Sequence, residues 1–201
     1  MTAPTAIAID GPVASGKTAV GKEIARRLGY RFLDTGGMYR AVTLTALRQG
    51  VAIDDDAGLT RLAQRLSIEV SLGPEGDRLV VDGQDVTDSL REPAVDRGVS
   101  QVSAVSGVRA ALVLQQRRVA SQGSIVMVGR DIGTVVLHDA KTKVYLDATA
   151  EVRAGRRSRE MEAAGRSPEP ERVLHDLLRR DRIDSQRSDS PLMPADDALI
   201  F

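Results

Sequence analysis

The sequence predicts an α/β protein, a three-layer fold in which a central parallel sheet lies between helices and carries a small α/β insertion. Three observations predict it. Short apolar runs at residues 6–9, 124–128 and 144–146 alternate with longer stretches of helical periodicity, the order that places parallel strands between crossover helices. The first run ends in a glycine-rich turn that opens a helix. The stretch from about 59 to 81 leaves that rhythm for a helix followed by a hairpin pattern.

Taken in order, residues 6–9 form a buried strand closed by Asp10-Gly11-Pro12. From Lys17 the apolar positions Val20, Ile24, Ala25 and Leu28 recur at helical spacing, and Gly29 supplies the stop. Residues 31–33 are a second strand. Asp34-Thr35-Gly36-Gly37 follows, with Thr35 as cap of a helix over about 38–48. Residues 59–66 are helical, and 68–72 and 78–81 flank Gly73-Pro74-Glu75-Gly76-Asp77 as the arms of a hairpin. A helix over 108–122 leads to the strand at 124–128, which ends in Gly129-Arg130-Asp131-Ile132-Gly133. After the strand at 144–146, helices over about 150–164 and 169–184 are separated by Gly165-Arg166-Ser167-Pro168.

At 201 residues the chain is long enough to bury a core without staples. Its 28 basic and 28 acidic residues balance, so no net field draws it to nucleic acid or to an anionic membrane. Aromatics at 2% are too few for base-stacking platforms. All but four of the basic residues are arginines, the side chain that forks onto phosphate and carboxylate; an arginine-biased genome would give the same count. Cysteine is absent, which removes disulfides, thiolate nucleophiles and Cys-ligated metals together. His138 and His175 lack ligand-like spacing. The first residues carry neither a basic region nor a long apolar run, so a cytoplasmic monomer without nucleic-acid or membrane partners is expected.

The sharpest chemistry lies in Gly11-Pro12-Val13-Ala14-Ser15-Gly16-Lys17-Thr18. Between a strand and a helix, this spacing lets backbone amides converge on phosphate oxygens, gives Lys17 a mobile charge to offer, and points the Thr18 hydroxyl at Mg²⁺. Gly11, Ala14, Ser15, Gly16, Lys17 and Thr18 are therefore the expected donor-nucleotide contacts. No Asn-Lys-x-Asp stretch accompanies them, so transfer to a small acceptor is favoured over hydrolysis. An acceptor that is itself a phosphate needs little general-base help but much charge neutralisation. Arginines beside glycines and acids supply candidates: Arg40, Arg109, Arg130, Arg180 and Arg187, the last two sharing a helical face with Asp184.

Five stretches carry a resemblance across most of the chain: Gly11 to Thr18, Phe32 to Arg40, Val99-Ser100 with Val108-Arg109, Gly129 to Thr134, and Arg180 to Arg187. Together they resemble the bacterial cytidylate kinases, of the nucleoside monophosphate kinase family. The resemblance implies transfer of a phosphoryl group from ATP to CMP or dCMP, with Mg²⁺. It implies that Ser100, Arg109 and Asp131 read cytosine, and that Arg40, Arg130 and Arg187 hold the acceptor phosphate. Arg180 and Asp184 would contact the sugar, and Thr35 and Tyr39 would line the acceptor site. Lys17, Arg130, Arg180 and Arg187 are the expected catalytic set. It further implies a core of 1–35 and 107–201 containing a lid at 155–168, and an acceptor-binding segment at 36–106. Arg153, Arg156 and Arg157 would then reach the ATP side; a solvated helix face is the other account of them. Asp34 is either a Mg²⁺-side carboxylate or a helix cap.

Three departures stand out. Ala14 replaces a frequent glycine, and Gly37 replaces a usual alanine. The chain ends at Leu199-Ile200-Phe201 where members of the family continue into another helix, so exposed apolar surface is expected there. A kinase for a different small acceptor and a nucleotide-binding regulatory module are the competing functions.

Overall fold

In the computed structural model, residues 5–73 and 76–201 are described. The chain opens with β1 (Ala6–Asp10), α1 (Lys17–Leu28) and β2 (Arg31–Asp34), then α2 (Gly36–Gln49) and α3 (Asp56–Arg65). The strands β3 (Ile68–Gly73), β4 (Gly76–Val81) and β5 (Gln84–Asp85) follow, then a 3₁₀ turn (Asp88–Arg91), α4 (Pro93–Ala104) and α5 (Ser106–Ala120). The last third holds β6 (Ile125–Gly129), a π turn (Ile132–Val136), β7 (Thr142–Tyr145), α6 (Ala150–Ala163), α7 (Pro170–Ser185) and β8 (Leu199–Ile200).

The central sheet has the order β2-β6-β1-β7-β8 with every pair parallel, as the strand–helix alternation predicts. β1 and β6 lie inside it and are apolar on both faces, the composition that a doubly covered parallel strand needs. One face is closed by α1 through Ile7, Ile9, Ala25, Phe32, Val126 and Val128. The larger core lies on the other face and runs on through α2, α3, α4 and α5 into the antiparallel sheet β3-β4-β5. The α6 and α7 helices pack on each other through Ala154, Val173 and Leu177, against Val13 of the glycine-rich loop.

Several expectations are corrected. In α1 the apolar residues Val20 and Leu28 are exposed, and Gly21 joins the expected Ala25 and Ile24 against the sheet. A Cβ on Gly21 would lie 2.7 Å from Val128 Cγ1 and 2.8 Å from the Phe32 ring, so the helix sits closer than its bulky residues would allow. Thr35 does not cap α2: its hydroxyl donates to the Val128 carbonyl at 3.0 Å, and Asp34 Oδ1 takes the Gly36 amide instead. Thr35 is thereby committed to tying β2 to β6. Helix α4 is an additional element, announced by Pro93 at its first position and by Val95, Val99 and Val102 at helical spacing. Arg187 lies past the end of α7 rather than on its face, and its Nε bonds back to the Asp184 carbonyl at 3.2 Å. At the centre of the expected hairpin turn, Pro74 and Glu75 lie outside the described residues. Leu199, Ile200 and Phe201 are exposed.

Candidate active site

The glycine-rich loop leaves the carboxyl end of β1, where parallel sheets present their ligands. Gly11 is unavoidable there, because at φ 147° a Cβ would meet the Leu146 carbonyl oxygen at 2.0 Å. Ala14 adopts φ 58°, the left-handed region, which is where the departure from glycine costs the backbone about 1 kcal/mol. Gly16 is left-handed as well, and α1 begins on it with its first amides open toward the loop. Lys17 is buried and folds back, donating to the Pro12 carbonyl at 2.6 Å and to Ser15 Oγ at 3.3 Å. Burial, reinforced by Arg130, holds its ammonium well below the ordinary lysine range. A phosphate in the loop would reverse that balance.

The Thr18 hydroxyl donates to Asp34 Oδ2 at 2.8 Å. One hydroxyl beside one carboxylate suits a hard cation that keeps waters and phosphate oxygens as its other ligands. No group of three or more His, Asp or Glu side chains that could hold a metal occurs among the described residues.

A second cluster forms where β6 ends. Asp10 accepts the Ile132 and Gly133 amides, both at 2.7 Å, and so fixes the turn that carries Arg130 and Asp131. Burial pushes the Asp10 carboxyl up to about 6. Asp131 pairs with Arg109 of α5, and the two side chains are 5% and 4% exposed. The Arg109 guanidinium lies 5.5 Å from the centre of the Tyr39 ring and donates to the Ser103 carbonyl at 3.2 Å. Arg187 reaches the same carbonyl at 3.4 Å, and Ser100, one turn earlier on α4, is buried. Arg130 donates from Nε to Asp184 at 2.9 Å. Three buried polar atoms here have no partner: the Tyr39 hydroxyl, Arg109 Nε and Arg187 Nη2. Burial pushes the Tyr39 hydroxyl up to about 12, so it is a protonated donor.

The third cluster is one that local sequence pattern does not assemble. Arg40, Arg157 and Arg180, assigned to different parts of the ligands, gather around Asp96 of α4. Its signal lies in the periodicity of α4, which puts Asp96 on the first turn. Arg153 is buried, bonding the Ala148 and Val13 carbonyls and Asp181, and Arg156 donates to the Ser15 carbonyl at 2.8 Å. A solvated face therefore does not describe Arg153 or Arg157; α6 is riveted to the glycine-rich loop.

The expected residues thus fall into three groups: the loop with Thr18 and Asp34, the Ser100–Arg109–Asp131 cluster with Tyr39 and Arg187, and the arginines about Asp96, of which Arg157 and Arg180 line a cavity between α4 and the helices α6 and α7. Comparison with known proteins gives the same direction. The family model described as cytidylate kinase matches residues 7–201. The cytidylate kinase of Pelotomaculum thermopropionicum is 48% identical over 97% of this chain and 87% of its own. That of Mycolicibacterium paratuberculosis is 49% identical over 100% of this chain and 88% of its own. That of Rhodococcus opacus is 48% identical over 99% and 87%. With a family match that spans the glycine-rich loop, the Arg109–Asp131 pair and the late arginines alike, the chain belongs to the cytidylate kinase family.

Proposed function

We propose that this enzyme transfers the γ-phosphoryl group of ATP to CMP or dCMP, giving CDP or dCDP and ADP, with the base read by Asp131 and Arg109. The observation that carries the assignment is the buried Arg109–Asp131 pair with unpartnered Tyr39, Arg109 and Arg187 donors around it. Such atoms are costly unless a ligand completes them. Asp131 accepts from the exocyclic amino group of cytosine, and Arg109 and Ser100 donate to the ring nitrogen and carbonyl. Uracil would turn a carbonyl toward the carboxylate.

The acceptor phosphate is already anionic, so an oxygen of CMP attacks the γ-phosphorus while the bond to the bridging oxygen of ATP breaks and ADP leaves. No side chain need take a proton. Gly11 to Thr18 cradle the donor phosphates, and Lys17 moves from the Pro12 carbonyl to them. Arg40, Arg130 and Arg187 hold the acceptor phosphate, and Arg180 and Asp184 lie at the sugar. Arg156 and Arg157 complete the donor side, with Arg153 as their anchor. Thr18 and Asp34 would hold Mg²⁺, which supplies charge neutralisation at the β- and γ-phosphates. Residues 155–168 form the lid that excludes water, and 36–106 is the acceptor-binding segment.

A panel of CMP, dCMP, UMP and AMP with ATP and Mg²⁺ tests this. CMP or dCMP should exceed UMP in kcat/KM by at least about a hundredfold. Faster use of UMP or AMP would overturn the assignment of Asp131. Binding of ATP and CMP with no CDP formed would favour a regulatory module.

A further inference from the structure

Asp96 is a single carboxylate shared by arginines from four places in the fold. Oδ1 accepts from Arg40 Nη1 of α2 at 2.7 Å, and Oδ2 accepts from Arg157 Nη2 of α6 at 3.0 Å. Arg166 Nη1, in the α6–α7 connection, lies 3.8 Å from Oδ2, and Arg180 Nη2 of α7 lies 3.8 Å from Oδ1. Arg180 also donates to the Asp96 main-chain carbonyl. The Asp96 side chain is 12% exposed. Burial alone would raise its pKa, but Arg40, Arg157 and Arg180 outweigh burial and hold the carboxyl below the usual range.

Arginines drawn from both sides of a cleft onto one anion are the arrangement that grips a phosphoryl group. Here the anion belongs to the protein. Arg40 has been assigned to the acceptor phosphate, so the carboxylate engages a group that the substrate must also engage. One carboxylate among four guanidinium groups leaves a surplus of positive charge, and an incoming phosphate dianion with three oxygens satisfies more of their N–H groups. The carboxylate is the weaker tenant.

We propose that Asp96 is a positioning residue that, seated in the cage of Arg40, Arg157 and Arg180 in the substrate-free enzyme, holds Arg40 and yields it to the phosphate of the acceptor. The inference rests on the acceptor assignment made above for Arg40. While Asp96 is seated, the guanidinium groups stay aimed at one point, and α4 is tethered to α6 and α7 across the cleft. A phosphate ligand binds only after the carboxylate is displaced, so its apparent affinity falls by the fraction of molecules in which the cage is free.

Asp96→Asn keeps the shape and removes the charge, and the Arg180 link to the main-chain carbonyl does not depend on the side chain. Dissociation constants for CMP, cytidine and inorganic phosphate should be measured by calorimetry on both proteins, with Tm in parallel. CMP and phosphate should bind the variant roughly threefold to tenfold more tightly, as expected when the competent fraction rises from a minority to nearly all molecules. Cytidine, which lacks the phosphate, should be unchanged. Asp96→Glu should return CMP binding toward the wild-type value. A lower Tm with unchanged or weaker phosphate and CMP binding would overturn the proposal and leave Asp96 a structural cross-link. If Asp96→Asn does not fold, Asp96→Ser is read in the same way, and failure of both to fold overturns it too. Should the wild type ignore CMP while phosphate still tightens on Asp96→Asn, the cytosine assignment fails and the cage stands.

Discussion

Arg109 donates to Asp131 in an ion pair almost wholly removed from solvent, between the first turn of α5 and the turn after β6. A buried pair of this kind adds little net stability, but removing one member strands the other. Asp131→Ala should lower the unfolding free energy by about 3–5 kcal/mol, read by urea denaturation. It should also cut kcat/KM for CMP far more than it alters the KM for ATP. Equal damage to both substrates would make Asp131 a strut of the fold rather than the reader of the base.

Asp10 gives a prediction in pH. Its folded-state pKa is pushed up to about 6 by burial, whereas in the unfolded chain it titrates near its ordinary value of about 4. Between those values the folded protein holds the proton and the unfolded chain has released it, so raising the pH favours unfolding. Stability attributable to Asp10 is full below pH ~4, declines by roughly 3 kcal/mol up to about pH 6, and is flat above. The difference in unfolding free energy between wild type and Asp10→Asn should trace that decline. A difference that is level across the window, or that grows with pH, would contradict it.

The core of this fold is written in local pattern, and its cleft is not. Strands β1 and β6 are short apolar runs because both their faces are covered, and Gly29 ends α1 in a left-handed cap, so both can be read from neighbours in sequence. The same holds for Gly11 to Thr18. Asp96 cannot be read this way, since its partners Arg40, Arg157 and Arg180 lie 56, 61 and 84 residues away. Thr35 misleads for a related reason: a threonine before a helix is a cap by local rule, and only the arrival of Val128 claims its hydroxyl. In α1 the apolar spacing points to Val20, Ile24, Ala25 and Leu28; Ile24 and Ala25 do pack on the sheet, but close approach to β6 puts Gly21 there and leaves Val20 and Leu28 outside.

Two glycines should respond in opposite ways to the same substitution. In Gly11→Ala the new methyl collides with the Leu146 carbonyl in a backbone region that alanine rarely adopts. A loss of about 2–3 kcal/mol or more and loss of ATP binding are expected. Gly155, within α6, has nothing within 4 Å of the point where a Cβ would stand, so Gly155→Ala should stabilise by about 0.5–1 kcal/mol through helix propensity alone. Thermal unfolding of the pair decides the matter, and destabilisation by Gly155→Ala would mean that α6 needs its flexibility at that point.

Arg153 is the remaining test, because it separates the anchoring of α6 from the residues around Asp131. Its Nε bonds the Ala148 carbonyl at 2.9 Å, Nη1 the Val13 carbonyl at 3.2 Å, and Nη2 Asp181 at 2.7 Å. These three bonds join the start of α6 to the glycine-rich loop and to α7, and no lysine can make them together because it lacks the planar fork. Arg153→Lys should therefore behave much like Arg153→Ala. Either change leaves two carbonyls and the Asp181 carboxylate poorly satisfied, at a cost of about 2–3 kcal/mol. With α6 loosened, Arg156 loses its place over Ser15, so the KM for ATP should rise by roughly tenfold. CMP binding measured without ATP should change far less, since no partner of Asp131 bonds Arg153, and Arg40 holds Asp96 independently of α6. Steady-state kinetics with ATP varied, set beside calorimetry with CMP alone, makes the comparison; equal weakening of both nucleotides would mean that α6 organises the whole cleft and not the donor side alone.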